Sequence, residues 1–261
     1  MGSIDGAFQE ILTFKDALEA AKRRFHGIMP TEGEMRIAFK DHFVYFRPKD
    51  GLGGDFYTLH HRNETILVVA DCSGHSVEGA LLAMLASGEV ENIVKTRDIT
   101  EPKDIIRFLH KSAVSKWSRA QEESLGISLE VSVVNMSKDR RHLKFCGAMR
   151  PMLLLRDGDL IEYEKSMLSV GDRMYDQRVE DLRQHEIDLQ PGDVFYLFTD
   201  GYETQPSHSE KPMGKKKFKE MIIEAAKLPI PEQRDFFDRE LKKFRGASDQ
   251  LDDICLIGVA T

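Results

Sequence analysis

Four short motifs set aspartates where carboxylates can do chemistry: Gly53-Gly54-Asp55-Phe56-Tyr57, Asp71-Cys72-Ser73-Gly74-His75, Thr199-Asp200-Gly201 and Asp252-Asp253-Ile254. Each acid stands beside an apolar, strand-like run, and several are followed at once by glycine or another small residue. Strand ends can bring such acids to one point. Clustered carboxylates repel one another unless a cation neutralises them. Oxygen-rich sites of this kind suit Mg²⁺ or Mn²⁺. Two such ions can hold a hydroxide between them, lower its pKa and neutralise charge on a phosphate during in-line attack. Asp71 ends the most hydrophobic strand and is followed by a tight loop, which makes it the candidate bridging ligand. Cys72 would offer its backbone carbonyl, because hard cations prefer oxygen to sulfur. His75 could donate a proton to a leaving serine oxygen, or be a structural histidine. Arg47, ahead of the first acid, could bind substrate phosphate or be a surface strand residue. Thr199 reads as a turn stabiliser.

The elements that must position these residues follow from periodicity. Apolar residues at spacings of three and four predict an amphipathic helix over 6–27, ended by Gly27 and Pro30. Met35, Ile37, Phe39, Phe43 and Tyr45 alternate, which predicts strands broken near Lys40-Asp41. Strands at 56–59 and 66–70 form a hairpin with an acid on each arm. A helix is expected over 77–95, its small, apolar first part buried, and a second over 102–120. Strands are expected at 127–135, 141–147, 151–156, 184–188, 194–199 and 255–259, and helices at 215–227 and 231–245. Asp157-Gly158 and Gln190-Pro191-Gly192-Asp193 are turn signals. Lys215-Lys216-Lys217 reads as a solvated helix start, with partner docking as the alternative. The fold class is α+β, with two mainly antiparallel sheets flanked by helices.

Bulk composition narrows the function. At 261 residues, 41% of them hydrophobic, the chain can bury a full core. Its net charge of −7 argues against general affinity for nucleic acid or an anionic membrane. No run is apolar enough for a membrane span, and the N-terminus lacks a signal-peptide pattern. Position 6 is Gly where N-myristoylation wants Ser or Thr. Cys72, Cys146 and Cys255 lie far apart in apolar segments, without zinc spacing, as expected of buried thiols in a reducing compartment. A cytoplasmic location is expected.

The four motifs in this order resemble the SpoIIE-type branch of the metal-dependent serine/threonine phosphatases (PPM family). The resemblance runs from about Arg36 to Val259 and includes Gly147-Ala148 with Arg150-Pro151. It implies an α-β-β-α sandwich, two Mn²⁺ or Mg²⁺ ions and hydrolysis of phosphoserine or phosphothreonine in a protein. By motif, Asp55, Asp71, Asp200 and Asp252 match the metal-binding acids, Asp252 being favoured over Asp253, with the Cys72 carbonyl as a backbone ligand. Asp71 and Asp200 are the expected catalytic acids. The chain departs from the branch at Ser76 (usually Gly), Glu78 (often Pro) and Thr58 (often an acid). His75 stands four residues after Asp71, where the wider family has its histidine two residues on. The resemblance further implies a substrate of the STAS-type anti-sigma-factor antagonist class in a bacterial partner-switching pathway. It also implies that residues 1–30 are a connector or regulatory helix ahead of a phosphatase domain at 31–261. That helix would meet an upstream sensor or receiver protein, or a second copy. Two alternatives remain: a catalytically weak PPM-fold module that sequesters a partner, and a two-metal hydrolase of small phosphate esters.

Overall fold

The computed structural model describes residues 2–74, 76–117 and 127–261, with the side chains of 2–12 and 14 left out. The ordered elements begin with α1 (Gly2–His26) and α2 (Glu32–Ala38), then β1 (Asp41–Arg47), β2 (Asp55–His61) and β3 (Thr65–Cys72). Helices α3 (Ser76–Glu91) and α4 (Pro102–Ser112) follow, each ending in a wide π-type turn. Next come β4 (Leu129–Met136), β5 (His142–Ala148), β6 (Met152–Arg156), β7 (Asp159–Tyr163), β8 (Gln184–Asp188) and β9 (Val194–Phe198). The chain closes with α5 (Gly201–Thr204), α6 (Gly214–Ala225), α7 (Ile230–Arg245) and β10 (Ile254–Ala260).

The strands form two five-stranded sheets, in the orders β1-β10-β9-β6-β7 and β2-β3-β4-β5-β8. All the pairings within them are antiparallel. Helices α3 and α4 pack on the second sheet and α7 on the first, with α6 against α7. This is the α-β-β-α sandwich the resemblance implies. Side-chain alternation explains the layers. Along β9, Phe195 and Leu197 enter the inter-sheet core, while Tyr196 and Phe198 face the helix layer. Along β10, Cys255 and Ile257 do the first and Ile254 and Leu256 the second.

Three expectations change. Residues 32–38 are a helix, because Thr31 forms a capping box with Glu34 and thereby satisfies the orphan amides of a first turn. Met35 and Ala38 then face inward while Ile37 is 70% exposed, a helical pattern that mimics alternation. An additional strand, β7, pairs with β6 around Asp157 and Gly158, whose φ values of 52° and 88° suit a tight hairpin turn. Finally, α3 is inverted. Its Gly79, Ala80, Ala83 and Ala86 are buried, but Val77, Leu81, Met84 and Leu85 face solvent. The helix comes so close to the second sheet that a Cβ on Gly79 would overlap the backbone of Gly74 and Gly54. Only small side chains fit beneath it. For the helix expected over 102–120, residues 118–120 lie outside the described part.

The C-terminal end of α1 belongs to the domain core. Phe25 is fully buried, its ring 6.3 Å from that of Phe46. Just beyond α1, Met29 accepts a hydrogen bond through Sδ from the Tyr57 amide, and the Tyr57 hydroxyl donates to the Pro30 carbonyl. Among the described residues no helix is long and apolar enough to cross a membrane.

Candidate metal-dependent active site

The four motifs meet where β2, β3, β9 and β10 end. Strand register does most of the work. Asp55 of β2 lies directly opposite Asp71 of β3, and Asp71 lies opposite Glu130 of β4. Three acids thus stand in a row across three strands, an arrangement that is unfavourable between like charges without compensation. From the other sheet, Asp200 follows β9 and Asp252 and Asp253 precede β10.

The acids differ in how they are held. Asp55 is 2% exposed and accepts one side-chain hydrogen bond, from the Thr199 hydroxyl at 2.6 Å. Thr199 Oγ1 in turn accepts from the Cys255 amide at 2.9 Å, so it joins strand end to site, as a turn stabiliser should. Burial, and then the neighbouring Asp71 charge, push Asp55 well above the ordinary carboxylate range. Asp71 is raised in the same way by burial and Asp200, with Arg150 opposing the shift. Asp252 is raised by desolvation first, then by Asp200 and Asp253.

Asp253 has a different task. Its carboxylate accepts from the amides of Lys49 at 2.8 Å and Gly54 at 2.7 Å, and so ties the Gly-rich loop to the start of β10. A Cβ on Gly53 would collide with that carboxylate, which is why this loop position needs glycine. Asp252 is left free of that duty. Cys72 has a buried thiol whose pKa lies well above its ordinary value, chiefly through desolvation. Its amide donates to the Gly54 carbonyl at 3.2 Å, which brings the Cys72 peptide beside the first motif. All three cysteines are free and buried.

Two residues at the site carry roles that the sequence reading did not assign. The Arg150 guanidinium is almost buried and pairs with Asp200 at 3.1 Å, Asp71 at 3.7 Å and Glu130. Its motif was visible, but the reach of its side chain into the acids was not. Glu130 was invisible as a site residue because it is one more position in an alternating strand. Arg47, at the end of β1, pairs with Asp238 of α7 at 3.2 Å and sends its carbonyl to Gln250. Its guanidinium is thus held on α7. His75 lies outside the described residues.

The chemistry of this donor set suits a hard divalent cation. Asp55, Asp71, Glu130, Asp200, Asp252 and Asp253 gather against Arg150 and, near Asp252, Lys49. That leaves a surplus of carboxylate oxygen, buried at Asp55 and Asp253 and partly open at Asp71, Glu130 and Asp200. Among the described residues no three acid, histidine or cysteine side chains converge closely enough to hold an ion as they stand. Arg150 is the group drawn in between Asp71 and Asp200.

A family model, stage II sporulation protein E (SpoIIE), matches residues 61–261. Among solved structures, the SiaA-PP2C domain of Pseudomonas aeruginosa is similar over 100% of both chains, at 27% identity and a TM-score of 0.84. The PP2C phosphatase domain of SpoIIE from Bacillus subtilis, with a fragment of its regulatory domain, matches 84% of this chain and 61% of that one. There the identity is 17% and the TM-score 0.64, a likeness of fold. RsbX in complex with magnesium matches 84% of this chain and 94% of that one, at 17% identity and a TM-score of 0.57. No match was found among curated proteins. Together, the sandwich, its convergent acids and the match over most of the chain show that this protein belongs to the SpoIIE family and is a metal-dependent hydrolase of the PP2C serine/threonine phosphatase type.

Proposed function

We propose that the acid cluster hydrolyses phosphoserine or phosphothreonine on a protein partner. The observation that carries this reading is the row Asp55, Asp71 and Glu130, met from the opposite sheet by Asp200 and Asp252. Asp55, Asp71, Asp200, Asp252 and the Cys72 carbonyl would hold two Mn²⁺ or Mg²⁺ ions. Bound there, the ions would supply Lewis-acid activation of water and neutralise phosphoryl charge. The chain's own residues do the positioning. Thr199 orients Asp55, and Asp253 fixes the Gly53-Gly54 loop through backbone amides. Arg150 balances Asp71 and Asp200 and stands beside the cleft where a phosphoryl group would arrive. With its side chain on Asp238, Arg47 would have to leave α7 to reach substrate.

The favoured substrate is a STAS-type antagonist phosphorylated on serine, a choice that rests on the family resemblance. The N-terminal helix is the candidate regulatory element. Its exposed part would meet an upstream protein or a second copy. The segment after it already touches Tyr57, two residues from Asp55, so movement there has a short route to the acids. The division at residue 30 is therefore one of role, since Phe25 and Met29 sit in the core. The test is phosphate release from phosphoserine, phosphothreonine and phosphotyrosine peptides in Mn²⁺, Mg²⁺ and chelator. Metal-dependent release from the first two is expected, and preference for a small ester over every phosphopeptide would overturn the reading.

A further inference from the structure

Beside the acids opens a cleft of about 380 Å³, lined by Glu130, Arg150, Lys165, Asp200, Glu203 and Lys215 among others. Its cations are unequally engaged. Arg150 is committed to Glu130, Asp200 and Asp71. Lys165, half-buried just past β7, and Lys215, in the first turn of α6, have no hydrogen-bond or ion-pair partner among the described residues. Two other lysines of α6 are differently placed. Lys217 lies 4.2 Å over the Phe244 ring, and Lys219 pairs with Glu162 at 2.5 Å. Lys215 is the member of the run that lines the cleft.

We propose that Lys165 and Lys215 receive acidic side chains flanking the phosphorylated residue, so that this cleft selects an acid-flanked phosphoserine segment. The inference rests on the phosphatase reading and names its substrate class. Lys165 faces Lys215, Glu130, Arg150 and Glu203. Burial and the Lys215 charge hold its ammonium below the usual lysine range. Glu130 and Glu203 oppose this, but Glu130 is paired with Arg150 and neither acid forms an ion pair with Lys165 or Lys215 among the described residues. Two unpaired ammonium groups facing each other across a cleft are relieved by an anion between them. The whole chain, at −7, repels an acidic segment, so local cations must receive it.

The experiment compares phosphoserine peptides flanked by glutamates or by alanines. It uses fluorescence anisotropy on Asp71→Ala protein and kcat/KM on the active enzyme. The acid-flanked peptide is expected to bind about tenfold better, and a Lys165→Met/Lys215→Met pair should cut that ratio below about twofold. An unchanged ratio overturns the proposal. So does an equal fall for both peptides, which would mean that the lysines hold the phosphoryl group. Because anisotropy needs no turnover, an inactive enzyme would sink the phosphatase reading while still deciding this one.

Discussion

Asp193 sits just before β9 and Asp200 just after it, and the acids at these two ends of one strand are handled differently. Asp193 is buried, and Arg156 grips its two oxygens through Nε at 2.9 Å and Nη2 at 2.6 Å. The Gln190 amide donates to it as well, at 2.9 Å. Each buried oxygen thus has a donor, and the charge has a counter-charge. At the far end, Asp55 has a single hydroxyl donor, and Asp71, Asp200 and Glu130 share one guanidinium. The surplus at the other end is what a site for an added cation requires, and such surpluses cluster where function sits.

The largest expected effect separates the two ends by exchange. Asp200→Ala should lower turnover at least about 100-fold while leaving urea unfolding of the metal-free protein nearly unchanged. Asp193→Ala should do the opposite. It strands Arg156 and costs about 3 kcal/mol of stability, with activity per folded molecule kept. If both variants lose the same property, the contrast fails.

Arg150 sharpens the comparison from the other side. Removing it as Arg150→Met strips the cluster of its principal counter-charge. In chelator, stability should fall by about 2 kcal/mol. Mn²⁺ affinity by calorimetry should rise, because the ions no longer displace a guanidinium. Weaker Mn²⁺ binding would instead make Arg150 a support of the metal-bound form.

A smaller effect comes from pH. In the folded chain, Asp55 is raised by burial and the Asp71 charge, and Asp71 by burial and the Asp200 charge. The folded state therefore keeps protons that the unfolded state has already released. Stability from these groups is present at and below the ordinary carboxylate range and is lost as pH rises through the raised folded values. Metal-free protein should weaken across that window, saturating Mn²⁺ should remove the slope, and Asp55→Asn should flatten it. A chelated wild type whose stability rises instead over the window would contradict the repulsion account. Smallest of all, Thr199→Val should cost about 1 kcal/mol by taking the donor from Asp55.

The acids were legible because strand, aspartate and small residue is a local pattern. It needs no partner strand to be seen. Glu130 was not legible, since only the β3–β4 register sets it opposite Asp71. Arg150 was half legible: its motif could be read, but its reach into the opposite sheet's acids is a tertiary fact. Asp252 was favoured over Asp253 on motif likeness alone; that the amides of Lys49 and Gly54 occupy the Asp253 carboxylate is a tertiary fact no local pattern carries. Residues 32–38 misled because Met35, Ile37 and Phe39 alternate, while the Thr31–Glu34 capping box that decides the matter is short. Helix α3 misled because composition cannot tell which face is pressed against a sheet. At Gly79 the approach is close enough to exclude large residues, so Leu81 and Leu85 turn outward.

The most direct test is hydrolysis of an aryl phosphate by the purified protein in Mn²⁺ and in chelator, beside Asp71→Ala. The account predicts turnover that requires Mn²⁺ and falls at least about 100-fold in the variant. Turnover within tenfold of wild type in Asp71→Ala, or equal turnover in chelator, would contradict it.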